Sequence, residues 1–423
     1  MIRHLMAFAL LAAAAASPVP GLAQEAPRVS LQEALRMFAR NNLDLRLARA
    51  RAAEAAGLAR QAEAFPNPAV GATHEPLSGG GRSYSESYLT LSQRFELPGE
   101  RDARSEAADQ RRAAALSLLR ADSVRLAFEA KRAFVEAALA EERLGITERV
   151  AAVFREAARS ATERYDAGDI SLYELRRIHV ERARYETLLA DAALAAGTTQ
   201  RTLALLLAPE GDAVRLAPEP LTAPAPPPAP AALLDAPAAE RRAELAAARA
   251  EVEAEEARLR VARAERLPDI TATGGYKRQS DGLAGAFLGL SLPLPLFDRN
   301  AGAVEAADAR LLAVRERLAL TRRQLDNDVL RAVDVYSTLR QRSELLLGDA
   351  FQEAGDLLEI ARVAYDAGEM ELVALLDAAE ALHQARTAEA RLRTELWIAY
   401  FDLERALGGF EAAGPDEPME DGR

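Results

Sequence analysis

The tetrapeptide Tyr-Asp-Ala-Gly occurs twice, at Tyr165–Gly168 and at Tyr365–Gly368, and it is the most visible mark of a duplication that runs through the chain. Ala107-Ala108-Asp109 is matched by Ala306-Ala307-Asp308, Pro66 by Pro268, and Leu203 and Leu207 by Leu403 and Leu407. Landmarks kept in step at a nearly constant offset, 199 to 202 positions, are the signature of a tandem repeat. Whatever one half folds into, the other must fold into too. The repeats are expected over 24–208 and 236–408. Between them, 209–235 holds the run Ala223-Pro224-Ala225-Pro226-Pro227-Pro228-Ala229-Pro230, which cannot be helical and reads as a semi-rigid polyproline connector.

Each repeat has the same order of parts. In the first, a helix is expected from Leu31 to Ala64, with Ser30 as N-cap and Glu33 in the capping-box position, and Pro66-Asn67-Pro68 stops it. A strand pair is expected over 68–97, turning at the glycines 79–81. From 99 to 165 there is no proline and one internal glycine, Gly145, so one helix of roughly 100 Å is the simplest reading. Its apolar positions recur in sevens, among them Leu126, Ala130, Ala133, Ala137, Ala151, Phe154, Ala158, Ala161 and Tyr165. That is a coiled-coil seam made largely of alanine, which lets helix axes come close.

After the Tyr-Asp-Ala-Gly turn a return helix is expected over 171–207. The second repeat gives a strand pair over 268–297, a long helix over 301–366 and a return helix over 371–407, with a flexible tail over 409–423. Gly168 and Gly368 are free to take the left-handed conformation that ends a helix, so both hairpins reverse at the same end.

Residues 1–23 read as a secretory signal peptide: Arg3, an apolar run from Leu5 to Ala16, then Gly21 and Ala23. That run is shorter than the roughly 20 residues a spanning helix needs. The chain has no cysteine, which excludes disulfides, thiolate metal sites, a cysteine nucleophile and a lipid-bearing N-terminal cysteine. A formal charge of −12, with no basic patch interleaved with aromatics, argues against nucleic acid as a partner. His4, His74, His179 and His383 make no pair at ligand spacing, and His179 and His383 read as ordinary helix-surface residues. With no P-loop, nucleophile elbow or dinucleotide fingerprint, the reading is of a non-enzyme without catalytic, cofactor-binding or metal-ligating residues.

The strands bear on location. Ile270, Ala272, Gly274 and Tyr276 alternate with Thr271, Thr273 and Lys277, and Leu288, Leu290, Leu292, Leu294 and Leu296 alternate with small residues or proline. Taken alone, this suits either a soluble half-buried sheet or a membrane barrel wall. Four strands cannot enclose a lumen, and open edges are not tolerated in lipid. A membrane reading therefore requires several chains to share one barrel.

On these features the chain resembles the TolC family of outer-membrane efflux channels, over nearly everything from Leu31 to Gly408. The stretches Phe65-Pro66-Asn67-Pro68, Phe95–Arg101 and Leu294–Asn300 are similar to those of its CzcC-like branch, which serves heavy-metal cation exporters. The resemblance implies a mainly α chain whose long helical hairpins form a trimeric α-barrel. Its four strands would enter a shared 12-stranded transmembrane β-barrel. It implies an outer-membrane location with a long periplasmic extension and a passive channel in a tripartite efflux system. The implied partners are two further copies of the chain, a periplasmic adaptor (membrane fusion) protein, an inner-membrane RND-type pump and outer-membrane lipid.

A duct for drugs or secreted proteins, or a periplasmic coiled-coil adaptor or scaffold, are the alternatives. The resemblance puts Tyr165, Gly168, Asp169, Tyr365, Gly368 and Glu369 at a periplasmic tip that docks partners. Asp377 becomes a possible aperture gate, with a solvated helix charge as the equal alternative. Met370 and Ala374 stand where family members carry a basic and an acidic residue, so the closing links of relatives do not carry over whole. For Tyr165 and Tyr365, packing at the end of the seam is favoured over gating.

Overall fold

In the computed structural model, the residues described are 28–79, 82–97, 99–207, 215–216, 224, 238–346 and 350–409. The expected signal peptide, the C-terminal tail beyond 409, the hairpin glycines 80 and 81 and nearly all of the connector lie outside them.

The first repeat opens with β1 (Arg28–Val29), α1 (Leu31–Asn41) and α2 (Leu43–Ala62). Ser30 and Glu33 form the capping box: the Glu33 N–H donates to Ser30 Oγ at 3.3 Å, and the Ser30 N–H donates to Glu33 Oε2 at 2.8 Å. The single helix expected from Leu31 to Ala64 is broken at Asn42, whose ψ of 126° leaves the helical region. Its side chain compensates. Oδ1 accepts from the Leu45 N–H at 2.8 Å and starts α2, while Nδ2 donates to the Leu206 carbonyl at 2.8 Å.

The strands β2 (Ala69–Gly79) and β3 (Arg82–Phe95) follow, then α3 (Glu100–Ala167, 68 residues) and α4 (Leu172–Leu207). A two-residue strand, β4 (Arg215–Leu216), pairs in parallel with β1, and Val29 is buried beside Phe38 and Phe134. The second repeat has a short helical turn (Ala238–Arg241), α5 (Ala243–Ala264), β5 (Ile270–Gln279) and β6 (Ala284–Ser291). It ends with α6 (Ala301–Leu346), α7 (Ala350–Asp366) and α8 (Leu372–Ala406). The long helix expected over 301–366 is thus described in two pieces.

The strands form one antiparallel sheet in the order β2-β3-β5-β6, so the two repeats join at β3 and β5. Alternation and register put Val70, Ala72, Leu89, Leu91, Phe95, Ile270, Ala272, Tyr276, Leu288 and Leu290 on one face. Thr73, Glu75, Glu86, Tyr88, Thr90, Ser92, Thr273 and Lys277 lie on the other, where Lys277 pairs with Glu86 at 2.8 Å. Among the described residues no helix covers the apolar face: Leu288 is 92% exposed and Leu290 81%. The strand expected to reach Leu296 ends at Ser291, because Pro293 and Pro295 have no N–H to give a ladder. Among the described residues no helix is long and apolar enough to cross a membrane.

Helix packing follows the alanine seam. Ala130, Ala133, Ala137, Ala151, Phe154, Ala158 and Ala161 are all buried on α3. His383, expected on the surface, instead sits half-buried on α8 where α3, α4 and α8 meet. Thr147 donates its hydroxyl to the Arg143 carbonyl at 2.9 Å and lies 3.2 Å from His383 Nε2. The imidazole stands edge-on to Tyr185, which stacks on Phe154. Burial, then Arg143 on α3 and Arg184 on α4, hold its pKa below the usual value, against a smaller opposing pull from Glu380 on α8.

Two stability effects follow. Asn42→Ala removes a helix cap and a tie between α2 and α4, and should lower stability by about 1–2 kcal/mol, read as a drop in the thermal midpoint of detergent-solubilised protein. For His383 the native pKa lies below the unfolded one, so the unfolded chain binds more protons. Its contribution is complete above the unfolded value near 6.5 and is lost as pH falls through the lowered native value. The thermal midpoint of His383→Gln should therefore decline less between pH 7 and pH 5 than that of the parent. Equal declines would remove His383 from the pH response.

Candidate functional site at the helical tip

Both helix reversals are built alike. Gly168 ends α3 with φ 85°, and its N–H donates to the Tyr165 carbonyl at 3.0 Å while the Asp169 N–H donates to that of Arg164 at 2.8 Å. Gly368 has φ 77°, with the same pair of bonds, to Tyr365 at 3.0 Å and from Glu369 to Ala364 at 2.8 Å. A side chain at either glycine would be strained in this left-handed conformation. On the far side of the first turn, Ser171 and Glu174 form a second capping box. The Ser171 N–H donates to Glu174 Oε2 at 2.9 Å and the Glu174 N–H donates to Ser171 Oγ at 3.2 Å. The Ser171 N–H and its hydroxyl, which also donates to Glu174 Oε2 at 2.9 Å, hold the Glu174 carboxyl below its ordinary pKa. The Ser-x-x-Glu pattern was legible in the sequence but escaped the reading above. The second turn has Glu371 at the corresponding cap, with no side-chain bond.

Below the turns the hairpins share one core. Phe154, Ala158 and Ala161 of α3, Ile178 and Tyr185 of α4, Leu358 and Ala361 of α7, and Leu375 and Ala379 of α8 are buried together. The two tyrosines differ. Tyr365 is 3% exposed and closes this core, whereas Tyr165 is 37% exposed and does not end the seam in the way expected. The asymmetry traces to the residue before each. Arg164 reaches from the first turn to the second, its Nη1 donating to the Tyr365 carbonyl at 3.4 Å and its guanidinium lying 5.4 Å from the centre of the Tyr365 ring. Ala364 occupies the matching position in the second repeat and has nothing to send back. Burial raises the Tyr365 hydroxyl pKa, with Arg164 opposing.

Arg164 was missed in the sequence, and the only signal for it was this mismatch between otherwise matching turns. Asp166, Asp169, Asp366 and Glu369 are all exposed around the reversals, so the tip ends in carboxylates. Asp377 lies two turns into the exposed side of α8, between the buried Leu376 and Ala378. It takes no part in the intrachain core. Among the described residues no three metal-ligating side chains converge.

Comparison with known proteins bears on this architecture. The description "Outer membrane efflux protein" matches residues 236–409. The chain is 27% identical to the cobalt-zinc-cadmium resistance protein CzcC of Cupriavidus metallidurans, over 93% of both chains. It is 31% identical to the nickel-cobalt-cadmium resistance protein NccC of Alcaligenes xylosoxydans xylosoxydans, over 71% of this chain and 68% of that one. Among solved structures, CusC matches with a TM-score of 0.70 at 20% identity, over 93% of this chain and 97% of the other. The Campylobacter jejuni CmeC outer-membrane channel matches with a TM-score of 0.74 at 17% identity, over 91% of this chain and 87% of the other. With its duplicated hairpins, its four-stranded sheet and this degree of relatedness, the chain belongs to the outer membrane efflux protein family.

Proposed function

We propose that three copies of this chain form one passive conduit for divalent heavy-metal cations, from a periplasmic tip to the cell exterior. The observation that carries the reading is the sheet: one exposed apolar face, one polar face, and outer edges on β2 and β6 that pair with no strand among the described residues. Such a sheet is stable in lipid only when closed, and three times four strands closes a barrel with its polar face around water. The long helices then extend away from the membrane, and the paired turns form the far end, where an adaptor and an energy-supplying inner-membrane pump would dock.

The cargo assignment rests on the relatives named for cobalt, zinc, cadmium and nickel resistance. The exposed carboxylates of the tip suit cations entering a negatively charged mouth. Asp377 is proposed as the aperture residue, since three copies of an exposed carboxylate near the axis would attract cations and repel anions.

Two measurements test this. Restoring the gene with its pump and adaptor to a deletion host should recover tolerance to cobalt, zinc, cadmium or nickel. Recovery of tolerance to organic toxicants alone would assign the duct to another cargo. In planar bilayers, Asp377→Asn should shift the reversal potential under a salt gradient toward zero and weaken block by trivalent cations. An unchanged reversal potential and block would return Asp377 to a solvated helix charge.

A further inference from the structure

The duplication allows the join between neighbouring copies to be read from a join inside one chain. The inference rests on the three-chain barrel proposed above. In such a ring β6 of one copy must meet β2 of the next, head to tail, because these are the two unpaired edges of the sheet. Within the chain, β3 of the first repeat already meets β5 of the second in the same sense, second strand of one hairpin against first strand of another.

The correspondence between repeats is fixed by the hairpins themselves. The ladder of the first begins at Ala69 opposite Ser92, and that of the second at Thr271 opposite Ser291. Ala69 therefore answers Thr271, and Ser92 answers Ser291. Carrying the internal pairs Thr90 with Gly275 and Glu86 with Gln279 across by this correspondence gives Gly289 opposite Thr73 and Gly285 opposite Leu77. We infer that these are the cross-strand partners at the interface between copies, and that a second copy of this chain in this register is what covers the outer edges of β2 and β6.

The faces and the breakers of both edges are consistent with this register. An offset of one residue would oppose the apolar face of one copy to the polar face of the next, since every side chain switches face. The derived register keeps them matched, with Leu290, 81% exposed in the single chain, opposite Ala72. Pro293 and Pro295 on one edge, and Pro66 and Pro68 on the other, then fall together just below the last pair, so neither edge is left presenting a row of unanswered N–H donors where the ladder stops.

The absence of native cysteine makes the register directly measurable. Opposed residues in an antiparallel pair have Cα atoms about 4.5–5.5 Å apart, inside the disulfide range, whereas a two-residue offset moves them to roughly 7–8 Å. In membranes under mild oxidation, Thr73→Cys with Gly289→Cys, and separately Leu77→Cys with Gly285→Cys, should give covalent dimers and trimers on non-reducing gels. Glu75→Cys combined with Gly289→Cys or with Gly285→Cys samples the offsets on either side, and should cross-link at least several-fold less. Preferential cross-linking of either Glu75 pair overturns the register, as does the absence of cross-links in all four variants when the detergent-solubilised proteins size as trimers. A monomer by sizing would instead overturn the three-chain barrel.

Discussion

Hydrocarbon offers no hydrogen bonds, and this governs how the sheet of this protein can exist. A four-stranded antiparallel sheet in water can leave its two edges to solvent. The same sheet with an uncovered face of Val70, Leu89, Leu91, Leu288 and Leu290 cannot, because that face calls for lipid and lipid leaves the edges unanswered. Closure by further copies, as proposed above, would resolve both demands together.

The helical body meets a different constraint. Its contacts come mostly from alanine, which lets α3 lie close to α4 and α5 but buries little area per residue. Cross-helix ion pairs such as Arg155 with Glu186, Arg260 with Glu106 and Arg315 with Glu256 join the strands of this rope. Each is exposed, and such pairs are worth about 0–1 kcal/mol. Cohesion is concentrated instead in islands of larger side chains: Phe154, Ile178, Tyr185 and Leu375 near the tip, and Phe38, Phe134, Leu203 and Phe401 about midway.

The features legible from sequence are those set by periodicity and by breakers. The seven-residue alanine pattern gave α3, proline and glycine gave its ends, and strict alternation gave β5. What escaped was decided by single side chains acting across the fold. Asn42 carries the right chemistry for a cap, but an uninterrupted apolar period hid the break it makes between α1 and α2. Alternating leucines continued past Ser291 and masked the end of β6, although Pro293 and Pro295 were in view. Tyr165 and Tyr365 look equivalent along the chain and are not, because only one of them has an arginine from the other turn beneath it. His383 could not be separated from a surface residue without knowing which helix lay opposite.

That inequality at the turns has a geometric consequence. The strand ends of the two repeats are close to interchangeable, so a ring of three chains would be nearly sixfold there. At the opposite pole Arg164 clasps its neighbouring hairpin inside each chain, while Ala364 offers no such grip across the boundary to the next. In such a ring, clefts around that pole would alternate between fastened and unfastened kinds. Any iris-like dilation would begin at the unfastened ones, with each chain swinging as a unit.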